Sequence, residues 1–299
     1  MAGAEKLPAI MPHGRRMLQT RVDEDIGRGA VIACRSNTTV MSMVDPRFVL
    51  SGFLVGLLVG QTGVGGGALM TPLLVLLFNV HPATAVGTDL LYAAATKSVG
   101  TAVHGLNHTV DWRIVGRLAL GSVPATLLTL AALAHFGLAG DHGNHLISVI
   151  LGIVLLLTAA ALLVRRRFLA LVSPIFDAMP PARIGRLTVL TGAVLGLLVT
   201  ISSVGAGALG VTVLLLLYPR RSMPVIVGSD IAHAVPLTLV AGAGHWWLGS
   251  VNWPLLGSLL CGSVPGIVLG SYLSARLPET VLRRLLAATL LLVGVKLLV

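Results

Sequence analysis

An all-α polytopic membrane protein made of two homologous halves is the fold class this sequence predicts, and three observations predict it. Charged residues make up only 11% of the 299, and mean hydropathy is +0.92, whereas a soluble domain is about one quarter charged. Apolar runs of the length a membrane helix needs, about 20 residues, recur from residue 52 to the last residue. The stretch 52–78, GFLVGLLVGQTGVGGGALMTPLLVLLF, also returns 140 residues later as 192–218, GAVLGLLVTISSVGAGALGVTVLLLLY.

Each copy of that stretch is cut in the middle by small residues. The first carries Gly63, Gly65, Gly66 and Gly67, and the second carries Ser202, Ser203, Gly205 and Gly207. Glycine removes the side chain that stiffens a helix and lets other groups approach the backbone. In hydrocarbon, irregular backbone is tolerated only where protein buries it or a wet cavity lines it. Two such breaks at corresponding positions of two halves point to a transporter's binding site.

In chain order, residues 1–45 are polar, mixed in charge and non-periodic. They read as a disordered tail or as an extension upstream of a start at Met41 or Met43. The first transmembrane repeat spans 46–164: the broken segment, a span from Ala83 to Leu106 opened by Pro82, a third segment from Ile114 to Phe136, a loop containing DHGNH, and a fourth segment from Leu146 to Val164. Arg165, Arg166 and Arg167 are expected to stop that helix. The cytoplasmic linker 165–186, with Pro174, Pro180 and Pro181, opposes regular helix. The second repeat, 187–299, has its broken segment and then spans at 225–247, 254–273 and 285–299, for about eight hydrophobic segments in all. Beyond the broken segments the offset is 141. Gly87, Asp89, His104, Trp112 and Gly121-Ser122-Val123-Pro124 then match Gly228, Asp230, His245, Trp253 and Gly262-Ser263-Val264-Pro265. Small-residue bias does not reproduce Asp, His, Trp and GSVP in one register, so the chain reads as an internal duplication.

Charge placement favours inverted halves. If each broken segment dips in and returns on one side, leaving three full spans per half, then Arg113, Arg117, the linker arginines, Arg220, Arg221, Arg276, Arg283 and Arg284 all face the cytoplasm, as the positive-inside bias prefers. The turn around Gly249 and the DHGNH loop then face outward. If the broken segments cross instead, the halves are parallel and several of these arginines fall outside.

Asp89 and Asp230 are the sharpest candidates for the working residues, each about two turns into an apolar helix. Carboxylates in membrane spans face a bundle interior or a cavity. They read either as tethers that accept hydrogen bonds from the broken segments or as groups that carry a coupled proton. The breaks offer backbone N–H groups and helix N-termini suited to an anion, with Thr62, Gly65, Gly66, Gly67, Ser202, Ser203, Gly205 and Gly207 as the candidate cradle; close helix packing is the competing reading. Lys97 is the one lysine in the apolar spans before the last helix; it reads as an anion counter-charge or as a side chain snorkelling to the headgroups. His104 and His245 read as interfacial hydrogen-bonding residues or a proton relay. Trp112, Trp246, Trp247 and Trp253 fit an interfacial belt.

The run Gly52, Gly56, Gly60, Gly63, Gly65, Gly66, Gly67, Pro72 and the following Ala85-Val86-Gly87-Thr88-Asp89-Leu90 are similar to the opening motifs of the sulfite exporter TauE/SafE family, also described as the toluene-sulfonate uptake permease family. The resemblance covers about 46–299 and is looser in the second half, where Ala206 replaces the middle glycine and Thr212 stands where Pro72 would. It implies secondary transport, in the cytoplasmic membrane, of sulfur-containing anions such as sulfite, sulfoacetate or sulfonates, linked to protons. It leaves the direction of transport open.

A channel, or a carrier of an unrelated organic anion, is the competing function. A membrane enzyme at His135, His142 and His145 is disfavoured, since no carboxylate-bearing helix supports them. No metal, cofactor or nucleic-acid signature is present: the net charge of +10 sits in short blocks between apolar runs. The expected partners are a small anion, protons and lipid, with a homo-oligomer left open.

Overall fold

The computed structural model describes residues 45–62, 67–137, 141–177, 179–205, 207–274 and 279–298. These form ten helices in the unit Pro46–Val299. They are α1 (Pro46–Thr62), α2 (Gly67–Phe78), α3 (Pro82–Leu106), α4 (Trp112–His135), α5 (Asp141–Asp177), α6 (Pro181–Ser202), α7 (Ala208–Leu217), α8 (Met223–Trp247), α9 (Trp253–Ser274) and α10 (Glu279–Leu298). Among the described residues five segments are long and apolar enough to cross a membrane: Trp112–His135, His145–Arg165, Pro181–Ser202, Met223–Trp247 and Trp253–Gly270. Shorter apolar helices, among them Leu69–Phe78 and Ala208–Leu217, accompany them. The chain is an all-α multi-pass membrane protein.

Local chemistry sets the boundaries. Prolines at the first turns of α3, α6 and α8 lose no hydrogen bond there and are pre-set for helix. Asp111 caps α4 by accepting from the Arg113 N–H at 3.1 Å. α6 ends where Ser203 turns left-handed (φ 57°), and Gly205 and Gly207 follow at φ 122° and 117°. Those last two values suit glycine alone, so the break between α6 and α7 is built into the sequence.

Both broken segments fold back. The Phe48 and Phe78 rings, near the start of α1 and at the end of α2, sit 4.8 Å apart. At the positions 140 residues on, the Thr188 and Tyr218 hydroxyls are hydrogen-bonded at 2.8 Å.

Helix packing repeats the same correspondence. α1 lies along α9: a Cβ on Gly52 or Gly56 would strike the carbonyl of Leu259 or Ser263. α6 lies along α4, where Gly192 and Gly196 meet the carbonyls of Leu118 and Ser122 in the same way. Backbones this close need small residues, the usual basis of helix association in lipid. α3 and α8 run antiparallel, Gly87 meeting His245 and Gly100 meeting Ile231. The Asn252 N–H donates to Thr88 at 3.0 Å, and the Asp111 N–H donates to Ser229 at 2.8 Å. α5 and α10 share a cluster that includes Leu151, Leu155, Leu286 and Leu290. Outward-facing Leu120, Leu128 and Leu292 are each about 70% exposed, as lipid-facing side chains are.

Three boundaries differ from expectation. Arg165, Arg166 and Arg167 do not stop the fourth helix, because α5 continues to Asp177. Charge ends an apolar span, here at Arg165, but arginine is a good helix former. The DHGNH stretch is the first turn of α5 rather than a loop. The linker 165–186 is accordingly mostly helical, since Pro181 already opens α6; a proline at the first position of a helix starts it rather than breaking it.

Candidate functional site

The centre of the bundle holds polar side chains delivered by five elements. α3 brings Asp89, Tyr92 and Lys97, and α8 brings Asp230 and His233; Asp89 with Tyr92 and Asp230 with His233 are i,i+3 neighbours on one helix face. α2 adds Thr71, α4 adds Ser122, and the α6–α7 break adds Ser203. All eight are buried: Asp89, Tyr92, Asp230, His233, Thr71 and Ser122 are 0% exposed, and Lys97 and Ser203 are 5% exposed.

Asp89 accepts a hydrogen bond from the Thr71 hydroxyl on α2, and the Ser203 hydroxyl lies beside it. Among the described residues it is therefore tied to α2 through Thr71, whose hydroxyl donates to it and whose backbone also lies beside it. Asp230 sits against the opening of α7: Gly207 lies beside its carboxylate, and a Cβ on Gly210 would overlap its Oδ1. That contact explains why position 210 has no side chain. Lys97, in the first half, exerts its charge on Asp230 as well as on Asp89 and His233. At 5% exposure it does not snorkel.

His233 Nε2 is hydrogen-bonded to the Ser122 hydroxyl at 2.9 Å. At the matched positions Tyr92 lies beside Ser263. Among the described residues, Asp89 Oδ1, both Asp230 oxygens, His233 Nδ1, Ser203 Oγ and the Tyr92 hydroxyl have no hydrogen-bond partner in good geometry. Unpartnered polar atoms at such depth each carry a desolvation cost of about 1–3 kcal/mol, and they concentrate where a ligand or a proton supplies the missing partner. A cation, two carboxylates, an imidazole and several hydroxyls can bind a small oxyanion and exchange protons with it.

The other candidates separate. Ser202 spends its hydroxyl on the end of its own helix, donating to the Leu198 carbonyl at 2.7 Å and accepting from the Val204 N–H at 3.2 Å. Gly205 accepts from the Gly210 N–H, and Gly207 stands at the N-terminus of α7. Gly67 opens α2. Gly65, Gly66, Ala206 and the Thr62 side chain lie outside the described residues. His245 is buried and donates from Nε2 to the Thr200 carbonyl at 2.9 Å, clamping α8 to α6. Half-buried His104 pairs with the Thr109 hydroxyl at 2.8 Å. Trp112, Trp246, Trp247 and Trp253 are exposed at helix ends, with Trp246 edge-on to Trp253 at 5.7 Å. Among the described residues no cluster of His, Cys, Asp or Glu is arranged to hold a metal ion.

Sequence reasoning missed Thr71, Tyr92, Ser122 and His233. A signal existed for three of them: at the 141 offset Ser122 matches Ser263 inside the repeated GSVP, and Tyr92 falls on His233, a polar pair in an apolar helix.

Comparison with known proteins agrees with a membrane role. A family model described as "Sulfite exporter TauE/SafE" matches residues 48–297. A probable membrane transporter protein of Bacillus subtilis, YjnA, is 39% identical over 251 residues, covering 84% of this chain and 98% of its own. A second from the same organism, YdhB, is 28% identical, covering 72% of this chain and 84% of its own. A probable membrane transporter protein of Methanocaldococcus jannaschii is 23% identical, covering 66% and 70%. No solved structure matches the chain.

Proposed function

The chain belongs to the sulfite exporter TauE/SafE family, and from that membership we propose a secondary active transporter that moves small sulfur-containing anions (sulfite, sulfoacetate or organosulfonates) across the cytoplasmic membrane in exchange or symport with protons. The observation that carries this reading is the buried meeting of Lys97 with Asp89, Asp230 and His233 beside the openings of α2 and α7. A buried cation supplies the attraction for an anion. The helix N-termini add partial positive charge, and carboxylates at membrane depth provide groups whose charge can change as access alternates.

Substrate contacts are assigned to Lys97 and Ser203 with the backbone of the breaks, at Gly65, Gly66 and Gly67 in the first half and Gly205 and Gly207 in the second. Thr62 and Ser202 border them. Asp89 is the proton-coupling group and Asp230 the tether of the second break, with His104 and His245 securing helix ends. The halves are inverted repeats with re-entrant broken segments. The paired contacts Phe48–Phe78 and Thr188–Tyr218 support this reading, as does the antiparallel run of α3 and α8. In this arrangement Arg113, Arg117, Arg220 and Arg221 face the cytoplasm.

The test is flux of labelled sulfite and several sulfonates into proteoliposomes, with and without an imposed pH gradient. Accumulation above equilibrium that collapses when the gradient is dissipated is the expected result. Passive, non-saturating flux without counterflow would instead identify an anion channel.

A further inference from the structure

Away from the central cluster, the end of the bundle that carries the α7–α8 turn holds a second basic feature. A cavity of about 210 Å³ opens between α4, the end of α5, α6 and the α7–α8 turn. Arg117, Arg220 and Arg221 contribute to its lining together with Tyr218, and Phe176 and Ile184 are part of an apolar wall. No carboxylate is among the described lining residues; Asp111, which pairs with Arg221 at 2.8 Å, stands outside it. Arg117 is fixed in place, donating to the Tyr218 hydroxyl at 3.3 Å, and Tyr218 is itself held by Thr188 at 2.8 Å. The cavity is thus anchored on ordered helix ends.

We infer that this cavity is a binding site for the phosphate group of an anionic phospholipid, with the guanidinium groups of Arg117 and Arg220 on the phosphate and the lipid's chain along the apolar wall. Arginine presents a planar fork of donors that matches phosphate oxygens. Basic pockets between membrane helices at the charged end of a bundle have the chemistry that anionic headgroups meet. The volume also discriminates. It is below the ~300–1,000 Å³ of pockets that enclose a drug-sized molecule, which suits a headgroup phosphate with the first part of its chain against the apolar wall and the rest of the lipid outside. A free oxyanion would use the arginines but leave the apolar wall without a role. The inference is independent of what the central site transports.

The experiment uses the purified full chain in neutral detergent. Phosphatidylglycerol and phosphatidylcholine of identical acyl chains compete for retention by native mass spectrometry, and inorganic phosphate is tested separately for thermal protection. The wild type is expected to retain phosphatidylglycerol preferentially. Arg117→Gln and Arg220→Gln should each weaken that preference about fivefold, and Ile184→Trp, which fills the cavity and keeps every charge, should weaken it too. Arg220 is an exposed turn residue, so its variant serves even if Arg117→Gln folds poorly. An unchanged preference in Arg220→Gln and Ile184→Trp would overturn the site. Protection by inorganic phosphate equal to that by phosphatidylglycerol would overturn the lipid as occupant.

Discussion

Replacing Asp89 by asparagine separates a carboxylate that tethers from one that carries a proton. The side chain is 0% exposed and its ordered partner is the Thr71 hydroxyl. A hydrogen bond to a charged group contributes about 1.5–3 kcal/mol, and one between neutral groups about 0.5–1.5. The amide can still accept from Thr71, so docking of α2 on α3 should weaken by only about 1 kcal/mol, a modest loss of thermal stability. The consequence for coupling is much larger. One pH unit across the membrane is worth about 1.4 kcal/mol per proton, or tenfold accumulation of substrate. A group that cannot change charge cannot favour different access states according to its proton, and that difference is what couples the two fluxes. The assay is counterflow and pH-driven uptake in proteoliposomes at matched protein amounts. Asp89→Asn should keep counterflow while gradient-driven accumulation falls to the equilibrium ratio. Asp230→Asn should instead lower folded yield through the opening of α7. Normal pH-driven accumulation by Asp89→Asn would refute the assignment and pass the proton to another group or to the substrate itself.

Three further outcomes follow from named contacts. Single cysteines at Arg113 and Arg220, in a background lacking Cys34 and Cys261, should react with a membrane-impermeant thiol reagent from one side and a cysteine at Trp247 from the other; opposite sides for the first two would mean that the broken segment crosses. Gly192→Leu, driven into the Leu118 carbonyl, should lose more than the ~1–3 kcal/mol typical of overpacking and most of its folded yield, while Gly116→Leu, with open space around it, should express normally; equal yields would remove the close α4–α6 approach. His233→Gln retains an amide within reach of Ser122, so it should keep folded yield, whereas His233→Leu, which leaves the buried Ser122 hydroxyl without that partner, should lose about 1–3 kcal/mol of stability; equal stability of the two variants would leave His233 a packing residue.

Much of this molecule was legible without coordinates. The apolar lengths and low charge dictate a helical membrane protein because a backbone in hydrocarbon has few other ways to satisfy its hydrogen bonds. Prolines and glycines marked the starts of α3 and α8 and the break after α6 within a few residues. The shared register of Asp89 with Asp230 and of GSVP with GSVP pointed to corresponding positions before any contact was known. All of these are properties of neighbouring residues or of fixed spacings. The end of α5 was not legible in that way: three arginines change the solvent a helix prefers, and nothing in them interrupts its hydrogen bonds.

What only the tertiary structure decided is who meets whom. α1 packs on α9 and α6 on α4, so each half's first helix lies along the fourth helix of the other, held by glycines whose missing side chains give no sign of their partner. The same exchange carries Lys97 to Asp230, Ser203 to Asp89 and Ser122 to His233, joining residues more than 100 positions apart. Helical periodicity says which face of a segment is polar. Which other face it meets depends on how all ten helices bury their small residues together, and no single stretch of the chain contains that information.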